Sequence, residues 1–369
     1  MKVLIITASL DEHSGWGRYS RAVIDQLIAQ GMDVIVCSEN KGNALYSVKQ
    51  LRPISSLLTI GAYVQNILTV RRASRDADIV HSLDGWPHGT YGFWAVLGTA
   101  KPLFMTGIGT YSVAPLYNLG TSWLLRRAYA RAKKVFCISD YTKKQIEEAG
   151  IDPRKLTTVH VGTSTFPSVS YDEAALSTKQ HGIPNEATPV ILTVGAIKER
   201  KGQMTTLRAV EILRRHMPHV LYVMVGRADA AYRAEIERYV ESKQMQNNVL
   251  IIQGADDRDL AHLYTRCDVF ALNSNTDLIH HHFEGFGLVV VEAGAFGKPA
   301  VGSIGSGIED AIKDGETGFL TRQGDSQDVA EKIDRIMAKY HFFSSNAKLF
   351  STTFNWAHMA SAYIRFYKI

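Results

Sequence analysis

The stretch HHHFEGFGLVVVEAGAFGKP, residues 280–299, sets two glutamates, Glu284 and Glu292, around a glycine-bearing turn and an apolar run. Hydrophobicity alone leaves LVVV open as strand or helix. The residues after it favour the helix: EAGAFG extends the pattern, Gly297 suits a helix end, and Pro299 stops the helix. The spacing predicts a helix over 288–296, entered through the turn EGFG. The first turn of a helix offers unpaired N–H groups and the positive end of its dipole, a seat for phosphate. Helical side chains lean towards the N-terminus, so Glu292, one turn in, can reach a ligand seated over 287–289. Glu284, in the preceding turn, would meet that ligand from another side. One carboxylate suits a vicinal diol such as a ribose and the other a sugar hydroxyl. Two solvated surface charges are the plain alternative.

Outward from this stretch, apolar runs recur between turn signals: KVLIIT, DVIVCS, DIVHS, PLFMT, VFCIS and LTTVHV. Helical patterns such as YSRAVIDQLIAQG and DYTKKQIEEAG lie between most of them and close on glycine. Alternating strand and helix predicts a parallel sheet covered on both faces. The rhythm pauses over 162–188 and restarts with PVILTVG, VLYVMVG, NVLIIQG, VFALNS and PAVGS. The expected organisation is therefore a first doubly wound domain over 1–165, a linker over 166–188 and a second domain over 189–350. A helix over 351–369 would cross back to the first domain.

The chain has 369 residues, 46% apolar and 21% charged, which excludes a disordered protein and favours two cores over one. MKVLIITASL reads as a buried first strand, not a signal peptide, and no run approaches a membrane span. Cys37, Cys137 and Cys267 are far apart, lack metal spacing and fit a reducing, cytoplasmic compartment. Net charge is +5, unevenly placed: residues 1–160 hold 19 Lys/Arg against 12 Asp/Glu, and Lys41 to Arg75 contains no acid. With SWLLRRAYARAKK at 122–134, this asymmetry leaves peripheral contact with an anionic membrane open beside an ordinary solvated face.

FEGFGLVVVEAGAFGKPAVGSIGSGIEDAIKDGETGFL resembles the E-x7-E region of retaining glycosyltransferases of family 4 (glycosyl transferases group 1). The resemblance continues through TVGAIKERKG, NNVLIIQGADDRDLAHLYTRCDVFALNS and FNWAHMASAYIRFY, and is looser in the first half. It implies a GT-B fold: two Rossmann-like, doubly wound parallel-sheet domains facing a cleft. It also implies that Glu292 binds the ribose of a nucleotide sugar and Glu284 the donor sugar's hydroxyls. Phe286 and the amides around Gly287, Leu288 and Val289 would then meet the diphosphate.

In VGAIKERKG, Lys201 matches the cation such enzymes aim at the diphosphate, while Ala196 stands where their arginine usually is. Lys198 and Arg200 are close enough in sequence to restore that charge. Fixed cations there would stabilise the negative charge that develops as the diphosphate leaves. SGWGRYS, residues 14–20, follows the first strand, where open α/β sheets place ligands, and Gly15 and Gly17 would permit close approach to the donor. FMTGIGTYS departs from the family: Ile108 stands where a histidine usually faces the reacting sugar, and His81 and His88 are the nearest alternatives in sequence. The run at 280–282 reads as a polar loop, since adjacent histidines rarely converge on one ion. No metal or other cofactor is expected. The implied activity is hexosyl transfer from a nucleotide sugar to an acceptor hydroxyl, with a glycan or lipid-linked acceptor and no nucleic-acid partner. A GT-B epimerase and a non-catalytic sugar-nucleotide scaffold are the alternatives, the second prompted by Ala196 and Ile108.

Overall fold

The computed structural model describes every residue except 13, 45, 54–58 and 369. The chain divides into two compact units. Unit 1 comprises Met1–Gly162, Ile279–Gly285 and Asn355–Ile369, and unit 2 comprises Thr163–Leu278 and Phe286–Phe354.

Unit 1 is built on strands β1 (Lys2–Ser9), β2 (Asp33–Asn40), β3 (Val48–Gln50), β4 (Ile79–Ser82), β5 (Leu103–Gly107), β6 (Lys134–Cys137) and β7 (Leu156–Thr158). They lie parallel in the order β3-β2-β1-β4-β5-β6-β7. Val3, Leu4, Ile5 and Ile6 are all fully buried, because helices cover both faces of the sheet and successive side chains alternate between them. The helices are α1 (Gly15–Ala29), α2 (Thr59–Ser74), α3 (His88–Val96), α4 (Thr110–Val113), α5 (Ser122–Arg131) and α6 (Asp140–Glu148). Ser14 and Ser139 cap α1 and α6 by accepting the N–H of Gly17 and Thr142.

Unit 2 carries β8 (Val190–Val194), β9 (Leu221–Val225), β10 (Val249–Ile252), β11 (Val269–Leu272), β12 (Ala300–Ser303) and β13 (Gly318–Thr321). Their parallel order is β10-β9-β8-β11-β12-β13. Its helices are α7 (Tyr171–Gln180), α8 (Gln203–Leu213), α9 (Ala230–Ser242), α10 (Asp257–Arg266), α11 (Leu288–Ala295), α12 (Ser326–Ala338) and α13 (Tyr340–Ser351). The stretch 166–188, expected as linker, therefore holds a helix that belongs to unit 2. Ser170 caps α7, and Ala174 and Thr178 are its buried face, against α10. Two apolar-facing positions in a Ser- and Thr-rich stretch give too faint a period to read from sequence.

The closing helix, α14 (Trp356–Tyr367), packs on α1 within unit 1. Gly162 is pressed so close to Trp356 that an added Cβ would lie 2.3 Å from its backbone nitrogen. Tyr363 hydrogen-bonds Tyr19 at 3.0 Å. Tyr367 shares a hydrogen bond with His81 Nδ1, whose Nε2 bonds Thr106 Oγ1 at 2.8 Å. His81 is thus a fully buried core residue, ringed by Phe104, Phe136, Tyr363 and Tyr367. Burial pushes its pKa down to about 3.

Because the folded state holds His81 neutral and the unfolded chain protonates near pH 6.5, stability is lost as pH falls from about 6.5 towards 3. Thermal melts of the wild type and His81→Gln across that range test this: the wild type should lose stability more steeply, by up to about 1.4 kcal/mol per pH unit.

Candidate active site

Helix α11 runs as its sequence predicts, one residue shorter at the C-terminal end. Gly287 enters it with φ +89°, a left-handed conformation that a side chain disfavours. Gly297, with φ +71°, ends it: Lys298 N–H donates to Ala293 O at 3.0 Å and Gly297 N–H to Gly294 O at 2.8 Å. The α11 entry lies at the carboxyl end of β11, since a Cβ on Gly287 would touch Leu272 Cδ2 at 3.3 Å.

Glu292 is buried, and its carboxylate is held from two directions. Ser164 Oγ donates to Oε1 at 2.6 Å, and the Tyr264 hydroxyl donates to Oε2 at 3.0 Å. Tyr264, on α10, is itself fixed between Phe166 and Phe296, with ring centroids 5.5 Å and 5.4 Å away. These donors answer the burial problem that the sequence posed: a carboxylate leaves water only when hydrogen-bonded. Sequence inspection missed both. Ser164 stands 128 positions from Glu292 in a Ser- and Thr-rich run, and Tyr264 reads only as an apolar position of α10.

The loop after β8 reaches the same end of the sheet. Glu199–Lys201 forms a single 3-10 turn, and Asn275 N–H donates to Arg200 O at 2.8 Å. Gly202, with φ +69°, sits where a Cβ would lie 1.7 Å from Asn273 O. Arg200 and Lys201 are half-buried and Lys198 is exposed. Two buried polar atoms here, Gln203 Oε1 and Ser274 Oγ, have no hydrogen-bond partner among the described residues. Both lie at the carboxyl end of the sheet, where open α/β folds bind ligands.

Glu284 belongs to unit 1, so the turn EGFG is divided between the units. Phe283 N–H donates to Thr110 Oγ1 at 3.2 Å, and Thr142 Oγ1 donates to Gly285 O at 3.3 Å. A Cβ on Gly285 would meet Ile108 O at 2.2 Å. Phe286 instead is buried in unit 2 against Phe354, at 5.4 Å. In the histidine run, His281 stacks on Tyr117 with ring centroids 3.7 Å apart.

Gly15 and Gly17 open α1 in unit 1. Gly17 is required by its own chain, since a Cβ would lie 1.9 Å from Asp11 O, whereas Gly15 has open space around it. Ile108 donates its N–H to Ser112 Oγ at 3.1 Å. Of the two histidines weighed in its place, His81 is sealed in the core, while His88 lies at the carboxyl end of β4 and bonds Glu39 Oε1 through Nε2 at 3.1 Å. The three cysteines are buried, and burial pushes their thiols up to about 12, so none is poised as a nucleophile.

The chain matches the family model described as Glycosyl transferases group 1 over residues 177–349 and that of Glycosyltransferase Family 4 over residues 13–165. It belongs to the group 1, family 4 glycosyltransferases. Among curated relatives of this glycosyltransferase is the GDP-mannose-dependent alpha-(1-6)-phosphatidylinositol monomannoside mannosyltransferase of Mycolicibacterium smegmatis. It is 26% identical over 215 residues, 58% of this chain and 55% of the relative. The capsular polysaccharide biosynthesis glycosyltransferase CapM of Staphylococcus aureus is 28% identical over 210 residues, 56% of this chain and 52% of the relative. The chain thus spans about half the length of these relatives. The fold is GT-B. Anabaena HepE, solved in complex with UDP and glucose, has a TM-score of 0.79 at 20% identity, covering 99% of this chain and 98% of that one. Sucrose-phosphate synthase from Thermosynechococcus elongatus has a TM-score of 0.81 at 19% identity, covering 100% and 98%.

The hydrogen bonds on Glu292 make a structural prediction for this glycosyltransferase. Tyr264→Phe and Ser164→Ala should each lower the unfolding free energy by about 1.5–3 kcal/mol, as loss of a hydrogen bond to a charged group does. In a double-mutant cycle with Glu292→Gln, most of that cost should vanish; an additive cycle would mean the hydroxyls do not hold the carboxylate.

Proposed function

We propose that the protein transfers a hexosyl unit from a UDP- or GDP-sugar to an acceptor hydroxyl, retaining anomeric configuration. The observation that carries this is the buried Glu292 carboxylate, fixed one turn into a glycine-entered helix at the carboxyl end of unit 2's sheet. Such a carboxylate grips a ribose diol, while the amides of Leu288 and Val289 and the helix dipole receive the diphosphate. Lys201, with Arg200 beside it, adds the fixed positive charge that the departing diphosphate requires. Unit 2, which holds Glu292 and Lys201, is the donor side; a nucleotide-sugar donor is in keeping with HepE, solved in complex with UDP and glucose.

In the proposed step the bond between the anomeric carbon and the phosphate oxygen breaks, and a bond to the acceptor oxygen forms on the same face. The leaving phosphate takes the acceptor's proton, so no protein nucleophile is used. The family resemblance assigns the donor sugar's hydroxyls to Glu284. Helix end and lysine supply the charge, and the step needs no metal.

Unit 1 is the acceptor side, and glycan, polysaccharide or glycolipid synthesis at the cytoplasmic face of a membrane is the setting that fits. Among the described residues no helix is long and apolar enough to cross a membrane. Peripheral contact with an anionic lipid surface is supported by α2, which exposes Ile60, Val64 and Leu68 along one stripe and Arg71 and Arg72 beyond it.

Calorimetric titration with UDP, GDP and ADP, without metal, tests the donor site. One nucleotide should bind, and Glu292→Ala should weaken it by roughly 2–3 kcal/mol. Glu284→Ala should lower turnover more than nucleotide affinity. Parent-like binding and turnover in both variants would exclude this site.

A further inference from the structure

Glu284 sits in a short segment of unit 1 that rests on the loop leaving β5. Its two neighbours make the contacts. Phe283 N–H donates to Thr110 Oγ1 at 3.2 Å, and Gly285 is laid so closely on the loop that a Cβ would lie 2.2 Å from Ile108 O. Gly109, between Ile108 and Thr110, holds φ +131°, and a Cβ there would lie 3.3 Å from Gly285 Cα.

The loop is fixed in turn by a relay of two hydrogen bonds. Ile108 N–H donates to Ser112 Oγ at 3.1 Å. A backbone N–H can only donate, so the hydroxyl's single proton goes to the far side, where Ser112 Oγ donates to Asp84 Oδ1 at 2.5 Å. Asp84 follows the end of β4, is fully buried, and also accepts the Gly85 N–H at 2.6 Å. Ser112 is fully buried too, so water does not compete for either bond. The two backbones are pinned beside the relay. Trp86 N–H donates to Tyr111 O at 3.0 Å, the Tyr129 hydroxyl donates to Ser112 O at 2.8 Å, and a Cβ on Gly85 would lie 2.7 Å from Ser112 Cα.

The carboxyl at position 84 decides where the serine proton points. A helical serine without another acceptor turns its hydroxyl to the carbonyl four residues back. Here that carbonyl is Ile108 O, the atom against which Gly285 is laid. Asp84 keeps the hydroxyl off it and leaves the serine oxygen to receive the Ile108 amide.

We infer that Asp84, acting through Ser112, is a positioning residue for Glu284. The carboxyl orients the serine hydroxyl, the hydroxyl holds the Ile108 amide, and the 108–110 loop seats the turn that carries Glu284. That Glu284 serves the donor sugar rests on the function proposed above; the relay and the seat do not.

Hydrogen–deuterium exchange of the full chain, read by mass spectrometry, tests the relay without any substrate. Ser112→Ala and Asp84→Leu should each speed exchange about tenfold, the loss of one buried hydrogen bond, in peptides covering 105–113 and also in those covering 279–286. Asp84→Asn keeps an oxygen for the serine proton and should restore protection in both. Faster exchange confined to 105–113, or spread equally through β1 and β4, would overturn the inference, as would failure of Asp84→Asn to rescue. If Asp84→Leu does not fold, Ser112→Ala decides. Turnover is read on UDP-glucose and GDP-mannose as nucleotide release. Ser112→Ala should lower kcat about tenfold with the donor KM near that of the parent, and should lower it no further once Glu284 is replaced by alanine. Additive losses would overturn the action through Glu284, and where neither donor turns over, exchange alone decides. The two readings fail separately: coupled exchange in a chain that binds no nucleotide defeats the transferase reading alone, and nucleotide binding without coupled exchange defeats the relay alone.

Discussion

A carboxylate removed from water has to be met by donors, and the organisation of unit 2 around Glu292 reflects that constraint. Its two hydroxyl partners come from distant places: Ser164 from the first residues of the unit and Tyr264 from α10. Thr163, beside Ser164, donates its N–H to Phe354 O, where the chain leaves the unit. Phe354 in turn packs on Phe286, which leads into α11. Both ends of unit 2 thus meet beside the helix that carries the carboxylate. A serine there contributes a donor without adding a charge to the buried carboxylate's surroundings.

The strand and helix order was legible because parallel sheets buried on both faces leave continuous apolar runs, and glycine and proline punctuate them. The α11 boundaries came from Gly297 and Pro299 for the same local reason. What was not legible depends on contacts between residues remote in sequence. The return of 279–285 to unit 1 is fixed by Thr110, Thr142 and the backbone of Ile108, none of which marks the sequence of that segment. His81 looks like any polar residue at a strand end, yet its core position is set by aromatic rings of a helix that begins at Trp356. Both cases share a cause: tertiary packing decides between a working histidine and a satisfied one, and packing is not periodic.

Lys201, Arg200 and the Glu292 region were singled out from the sequence, whereas Ser164, Tyr264 and the orphaned Gln203 and Ser274 atoms were not. The former lie beside glycines whose positive φ, +69° at Gly202 and +89° at Gly287, is a local preference that the sequence displays. The latter are identified by what surrounds them, a property of the folded chain alone.

Charge is the other place where sequence and structure speak at different scales. The first half of the chain is basic, which by composition favours an anionic partner. Yet its exposed cations Arg71, Arg72 and Arg75 sit at the end of α2, and α5 stacks Arg127 on Trp123 at 4.4 Å. Arg21, on α1, is paired with Glu12 at 2.9 Å, and Arg18 donates to the Glu12 carbonyl at 2.7 Å. The carboxyl end of the sheet instead carries Glu39, Asp84 and a histidine whose proton faces Glu39. Burial pushes the Asp84 carboxyl up to about 7, so this end gains little negative charge below neutral pH and keeps the capacity to donate as well as accept. The exposed cations of α2 and the buried acids at the strand ends therefore occupy different parts of one unit, a separation that the summed charge of the segment hides.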